Sequence, residues 1–126
     1  MITQVTPTRC PPTPPSARRR SPHRAQTIYV GGQNGVDGRG RVVSTRLGAQ
    51  TEQDLRNVLA GLQAAGATQA DVAKPTVHVV AGADIGEAFA ASQEVCGRHP
   101  TAITILLVAG LANPDFLVEI DAVATL

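Results

Sequence analysis

From Thr27 onwards apolar residues recur along this chain with two periods, one of two residues and one of three to four; before Thr27 they scarcely recur. Thr27-Ile28-Tyr29-Val30 is a β-branched and aromatic run leading into Gly31-Gly32, which predicts a strand entering a close-packed turn. Asn34-Gly35 and Asp37-Gly38 then mark a hairpin-like connection to a second strand over Arg41 to Ser44. Between Leu47 and Ala65 the spacing changes. Leu55, Val58, Leu59, Leu62 and Ala65 share one helical face, Glu52, Asp54, Arg56 and Gln63 are assigned to the outer face, and Gly66 supplies the stop. A third strand is expected from Thr76 to Val80, after Pro75. A second helix follows from Asp84 to Cys96, with Ile85, Ala88, Phe89, Ser92, Val95 and Cys96 to one side and Gly97 at its end. Two last strands are expected over Ala102 to Ala109 and Phe116 to Val123, separated by the turn at Asn113-Pro114.

The order β-β-α-β-α-β-β predicts an α+β domain with both helices on one face of a mixed sheet. Within it, Ala102–Ala109 stands out. Ile103, Ile105 and Leu107 point one way and Thr104, Leu106 and Val108 the other, the mark of a strand buried on both faces. The last strand repeats this less strongly, with Phe116, Val118 and Ile120 opposite Leu117, Glu119, Asp121 and Val123. Two helices cover one face only. The other therefore needs a partner, and a second copy of the chain is the simplest, since uncovered apolar patches of this kind are rare on monomers.

Composition splits the chain in the same place. Residues 7–24 hold six of the nine prolines, and residues 1–24 hold Arg9, Arg18, Arg19, Arg20 and Arg24 with no acid. Proline fixes φ and removes a donor, and so few apolar residues cannot offset ordering entropy. Residues 1–26 accordingly read as a basic, disordered arm, and 27–126 as the domain. The prolines spoil an amphipathic transit helix, and no apolar stretch follows the arginines as a secretory signal requires. The domain itself is mildly acidic, which argues against a nucleic-acid face. The longest apolar run, Ala102 to Ala112, is far shorter than the roughly 20 residues of a membrane span. Cys10 and Cys96 form no disulfide framework and share no metal-like spacing with His23, His78 and His99, so the expectation is a cytoplasmic protein without a metal.

Several segments resemble one known family. Tyr29-Val30-Gly31-Gly32-Gln33, Asp54-Leu55-Arg56-Asn57-Val58-Leu59, Ala64-Ala65-Gly66-Ala67, Asp71-Val72-Ala73-Lys74, Val108-Ala109-Gly110-Leu111 and Leu117-Val118-Glu119-Ile120-Asp121-Ala122-Val123-Ala124 are similar, in that order, to the RidA/YjgF family of reactive-intermediate deaminases. The resemblance implies a chorismate-mutase-like fold, a homotrimer whose sheets form a central barrel, and ligand clefts between subunits. It also implies hydrolysis of enamines and imines to oxo compounds and ammonia, with no cofactor. Glu119 matches the family's glutamate on the last strand, which implies a catalytic role. Gly31, Gly32, Gln33, Phe89 and Thr104 fall at substrate-binding positions, Gly31 replacing a serine, Phe89 an asparagine and Thr104 a cysteine.

One departure bears on substrate. The family's carboxylate-clamping arginine comes two residues after the proline that opens its strand, whereas Pro100 is followed by Thr101 and Ala102. No lysine or arginine occurs after Arg98, so the chain resembles an arginine-lacking branch. Without a bidentate clamp, an amino-acid-derived imine is held poorly. Two readings stay open: a deaminase with altered substrate, and a non-catalytic, small-molecule-binding homotrimer.

Overall fold

The computed structural model describes residues 25–126. Their elements run β1 (Thr27–Asn34), α1 (Leu47–Ala64), β2 (Val72–Val80), α2 (Ile85–Cys96), β3 (Thr104–Val108) and β4 (Val118–Thr125), with a 3₁₀ turn at Gln69–Asp71 before β2. The four strands form one mixed sheet in the order β1-β4-β2-β3. β4 lies antiparallel to both neighbours, and β2 runs parallel to β3 with α2 as the crossover. The fold class is the predicted α+β. Residues 1–24, with most of the arm, lie outside the described residues. Gln26, assigned to the arm from its sequence, exchanges both backbone hydrogen bonds with Leu126, at 3.1 and 2.9 Å.

β1 does not stop at Gly31. It continues through both glycines to Asn34, and its pairing with β4 slips by one residue between Val30 and Gln33. The pair of glycines is thus a β-bulge inside a strand and not the turn after one. The expected strand over Arg41 to Ser44 shrinks to a single bridge, Val36 to Val42. Asp37 is the reason: its Oδ1 accepts from the amides of Arg39 at 2.8 Å and Arg41 at 3.1 Å, which tightens the connection around Gly40 at φ 77°. Those two amides also hold the Asp37 carboxyl below the usual carboxylate range.

β2 starts four residues before the predicted Thr76 and runs through Pro75. Pro75 faces Ala122 on β4, while pairing with β3 begins only at Thr76, so no rung on the β3 side is lost to the missing amide. In α2, Asp84 Oδ1 caps the Gly86 amide at 2.9 Å, and Gly97 closes the helix at φ 62°. β3 starts two residues later and ends one residue earlier than expected, and β4 is shifted by two residues towards the C-terminus.

The core lies between α1 and the β1–β4 half of the sheet. Val118, Ile120, Ala122 and Ala124 alternate inwards along β4 and meet Ile28, Val30, Val58 and Leu62. At this point the charge-based reading of α1 fails. Asp54, assigned to the outer face, is completely buried, along with Gln50 and Thr51. The inward stripe is Leu47, Gln50, Thr51, Asp54, Val58, Gly61 and Leu62, whose spacing of three and four is as helical as that of the leucines.

β3 is left more open than expected. One face was to be covered by the helices and the other by a second copy, yet Ile105 and Leu107 on one face and Leu106 on the other are 49%, 61% and 45% exposed. β3 is an edge strand, and α1 is packed over the far half of the sheet, on β1 and β4. Phe89, expected on the inner side of α2, is also mostly exposed.

Candidate active site

Glu119 is the second residue of β4, and it points away from α1, between the inward Val118 and Ile120. Its carboxylate lies across Gly32: a Cβ at that glycine would overlap Glu119 Oε1. The bulge and the absent side chain together make the space that the carboxylate fills. Asn34 Nδ2 donates to Glu119 Oε2 at 3.3 Å and to Val118 O at 3.1 Å. Asn34 is fixed in turn from α1, where Asn57 Nδ2 donates to the carbonyls of Asn34 at 2.9 Å and Val36 at 3.0 Å. The positioning groups are neutral amides. Among the described residues no lysine or arginine forms an ion pair with Glu119.

His78 stands directly opposite Glu119 in the β2–β4 ladder, with its Nδ1 3.3 Å from the Glu119 carbonyl oxygen. Directly paired antiparallel residues share a face, so the imidazole and the carboxylate lie on the same side of the sheet. Beneath the sheet, α1 brings Asp54 against β4 at Ile120. Burial first, and the Glu119 charge second, push Asp54 up to about 9, while the Ile120 amide pulls the other way. That amide closes no hydrogen bond of normal geometry, and neither Asp54 oxygen has a partner among the described residues.

The structure brings Gly32 to Glu119 and places Gly31 and Gln33 in the same bulge, Gln33 Nε2 folding back on Gly31 O at 2.9 Å. It does not bring the remaining predicted residues to them within one chain. Thr104 is on β3, three strand spacings from β1, or roughly 14 Å. There its hydroxyl accepts from Lys74 Nζ at 2.7 Å. Phe89 lines a shallow groove with Gln93, Gly97, Arg98, His99 and Pro100 at the end of α2. Asn34, His78 and Asp54 were missed from sequence. His78 and Asn34 owe their place to strand register, which one sequence does not reveal; Asp54 could have been found from the 47-51-54-58 spacing.

The chain as a whole is similar to known proteins. The family model described as endoribonuclease L-PSP matches residues 19–126, nearly the whole chain and part of the arm. This chain belongs to the YjgF/RidA family. Among solved structures, the Rid family protein YyfB from Yersinia pestis is 34% identical, with a TM-score of 0.71 over 80% of this chain and 79% of that one. The YjgF gene product of E. coli is 33% identical, with a TM-score of 0.68 over 78% and 79%. A member of the YjgF/YER057c/UK114 family from Mycobacterium tuberculosis is 30% identical, with a TM-score of 0.65 over 79% of each chain. No curated protein matches this chain. RidA/YjgF membership accounts for the mixed sheet with its two helices. Among the described residues, no helix is long and apolar enough to cross a membrane.

Proposed function

We propose that this RidA/YjgF protein hydrolyses small imines or enamines that carry no carboxylate, with Glu119 as the general base, in clefts completed by further copies of the chain in a homotrimer. The observation that carries this reading is a half-buried carboxylate set over a glycine bulge by the neutral amide of Asn34, with no ion pair to it among the described residues. Such a group can take a proton from water as the water oxygen bonds to the imine carbon. It returns that proton to nitrogen, which gives the carbinolamine; it then takes the hydroxyl proton and passes it to the amino group as the C–N bond breaks, so that the carbonyl forms and ammonia leaves. No cofactor enters this sequence.

The substrate class follows from charge. Three of the arginines in the domain, Arg41, Arg46 and Arg56, are committed to Asp37, Glu87 and Glu52. None of these pairs involves the bulge, over which the Glu119 carboxylate lies. Among the described residues the same distribution offers no basic stripe for a nucleic acid. The separation of Thr104 from the bulge supports the reading in a second way: in the proposed trimer a neighbouring copy could deliver Thr104 and Phe89 to a bulge they do not reach in their own chain. The absent clamp also favours the second reading, a trimer that binds a metabolite without converting it.

The test compares two imines made in situ, 2-iminopropionate from an amino-acid oxidase and an aryl aldimine from an amine oxidase. Faster loss of the aldimine than in buffer, with little effect on 2-iminopropionate, is the expected result. No acceleration of either, together with a raised melting temperature in the presence of a small metabolite, would replace hydrolysis by binding.

A further inference from the structure

Three polar side chains stand in one row across the face of the sheet that points away from α1. Asn34 on β1 and His78 on β2 are each paired directly with Glu119 on β4, and directly paired antiparallel residues share a face. All three are half-buried. Leu106, 45% exposed, extends the row on β3 as the partner of His78. Beside Glu119 the bulge is open, since a Cβ at Gly31 would meet nothing within 4 Å.

The hydrogen bonds inside the row decide what it has left to offer. Asn34 Nδ2 donates to Val118 O at 3.1 Å and to Glu119 Oε2 at 3.3 Å, which uses both its hydrogens. Its Oδ1 remains as an acceptor. His78 Nδ1 lies 3.3 Å from the Glu119 carbonyl oxygen. A carbonyl oxygen only accepts, so the ring proton sits on Nδ1, and Nε2 of the neutral imidazole keeps its lone pair. Lys74, the chain's one lysine, faces Val123 four residues beyond Glu119 on β4, and it donates to Thr104. That is roughly 13 Å away along the strand. The row therefore presents acceptors and no donor.

We infer that His78 recognises the nitrogen of the ligand, its Nε2 accepting the N–H of a planar C=N–H group beside the Glu119 carboxylate. An apolar or aryl substituent then lies towards Leu106. Two strand spacings, roughly 10 Å, separate Glu119 from Leu106, enough for an aryl ring lying on the sheet. The ligand class is primary imines and amidines without a carboxylate. A ligand presenting only oxygens would set lone pairs against lone pairs, and an N-alkylated imine lacks the hydrogen that Nε2 takes. Hydrolysis of such a ligand rests on the reading above; its recognition rests on the strand register and the His78 contact.

Benzamidine, a stable aryl N–H donor, is the probe, and benzoate, of similar shape with acceptors alone, is its control. Two-bond proton–nitrogen correlation NMR of the full chain at about pH 9, where an ordinary imidazole is neutral, should give His78 the Nδ1–H pattern. Its signals are those missing from His78→Phe and His78→Gln. Benzamidine should shift the Nε2 resonance, and benzoate should leave it unmoved. His78→Phe should weaken benzamidine binding by about 10-fold or more, and His78→Gln, which keeps an acceptor oxygen, should recover part of the loss. A proton on Nε2 in the protein alone, or an Nε2 resonance indifferent to benzamidine, would overturn the assignment. Should His78→Phe not fold, the nitrogen shifts of the wild type decide by themselves. Benzamidine held through Nε2 by a chain that hydrolyses no aldimine would uphold the recognition and remove the hydrolytic reading. Aldimine hydrolysis with KM and kcat unchanged in His78→Phe would keep the hydrolytic reading and overturn the role of His78.

Discussion

Under α1, where helix and strands close on each other, a carboxyl group is fully enclosed; along β3, where the sheet ends, Ile105, Leu106 and Leu107 face outwards. In the first region a polar residue occupies an apolar place, and in the second apolar residues occupy a polar one. Ordinary folding energetics favour neither. The inner exception concerns chemistry, because Asp54 meets β4 beside Glu119 and the bulge. The outer exception concerns assembly, because a two-faced apolar edge strand is what another copy of the chain would cover. If the clefts join β1 of one chain to β3 of another, the two exceptions are halves of one site.

The largest effect should come from the outer region. Leu107→Asp puts a charge on the open edge and should reduce the assembly to single chains of 13.0 kDa in sedimentation velocity, with hydrolysis lost alongside. Unchanged mass would show that this edge joins no copies and would separate the two regions. Next comes Gly32→Ala. The added methyl meets the far end of a flexible side chain, so the fold should tolerate it, but Glu119 must swing away. A loss of about 10²-fold in kcat/KM, with a melting temperature near the wild type, is expected from misplacing the base. A smaller but diagnostic effect belongs to Asp54. Its folded pKa, about 9, lies above the unfolded value near 3.8, so the native state binds the extra proton. Its stability contribution is therefore fully present below about pH 4 and is lost progressively as pH rises towards 9. Asp54→Asn should flatten that slope. Urea unfolding should show the variant ahead by about 1–3 kcal/mol more at pH 8 than at pH 5, a figure discounted for relaxation around the buried group.

Much of this architecture was legible in the amino-acid order. α1 and α2 announced themselves through three-and-four spacing and the glycines at 66 and 97, and β4 through its alternation. What stayed hidden depends on contacts between distant segments. Gly31-Gly32 signals a turn when taken locally, and only the ladder with β4 makes it a bulge. Glu119 was found by family resemblance, whereas His78 required the register that sets it opposite. Asp54 was misplaced because charge was weighted above periodicity, and β3 was expected to have one face covered by the helices, whereas its edge position leaves Leu106 open as well as Ile105 and Leu107. Phe89 and Thr104 matched positions in a pattern without matching a place beside Glu119.

Most directly, the rate of aryl aldimine loss should be measured with wild-type protein and with Glu119→Gln at neutral pH. A wild-type acceleration that falls by about 10²–10⁴-fold on this single substitution, with folding and assembly intact, is the predicted result. Equal rates in the two proteins would show that the carboxylate over the glycine bulge takes no part in the chemistry.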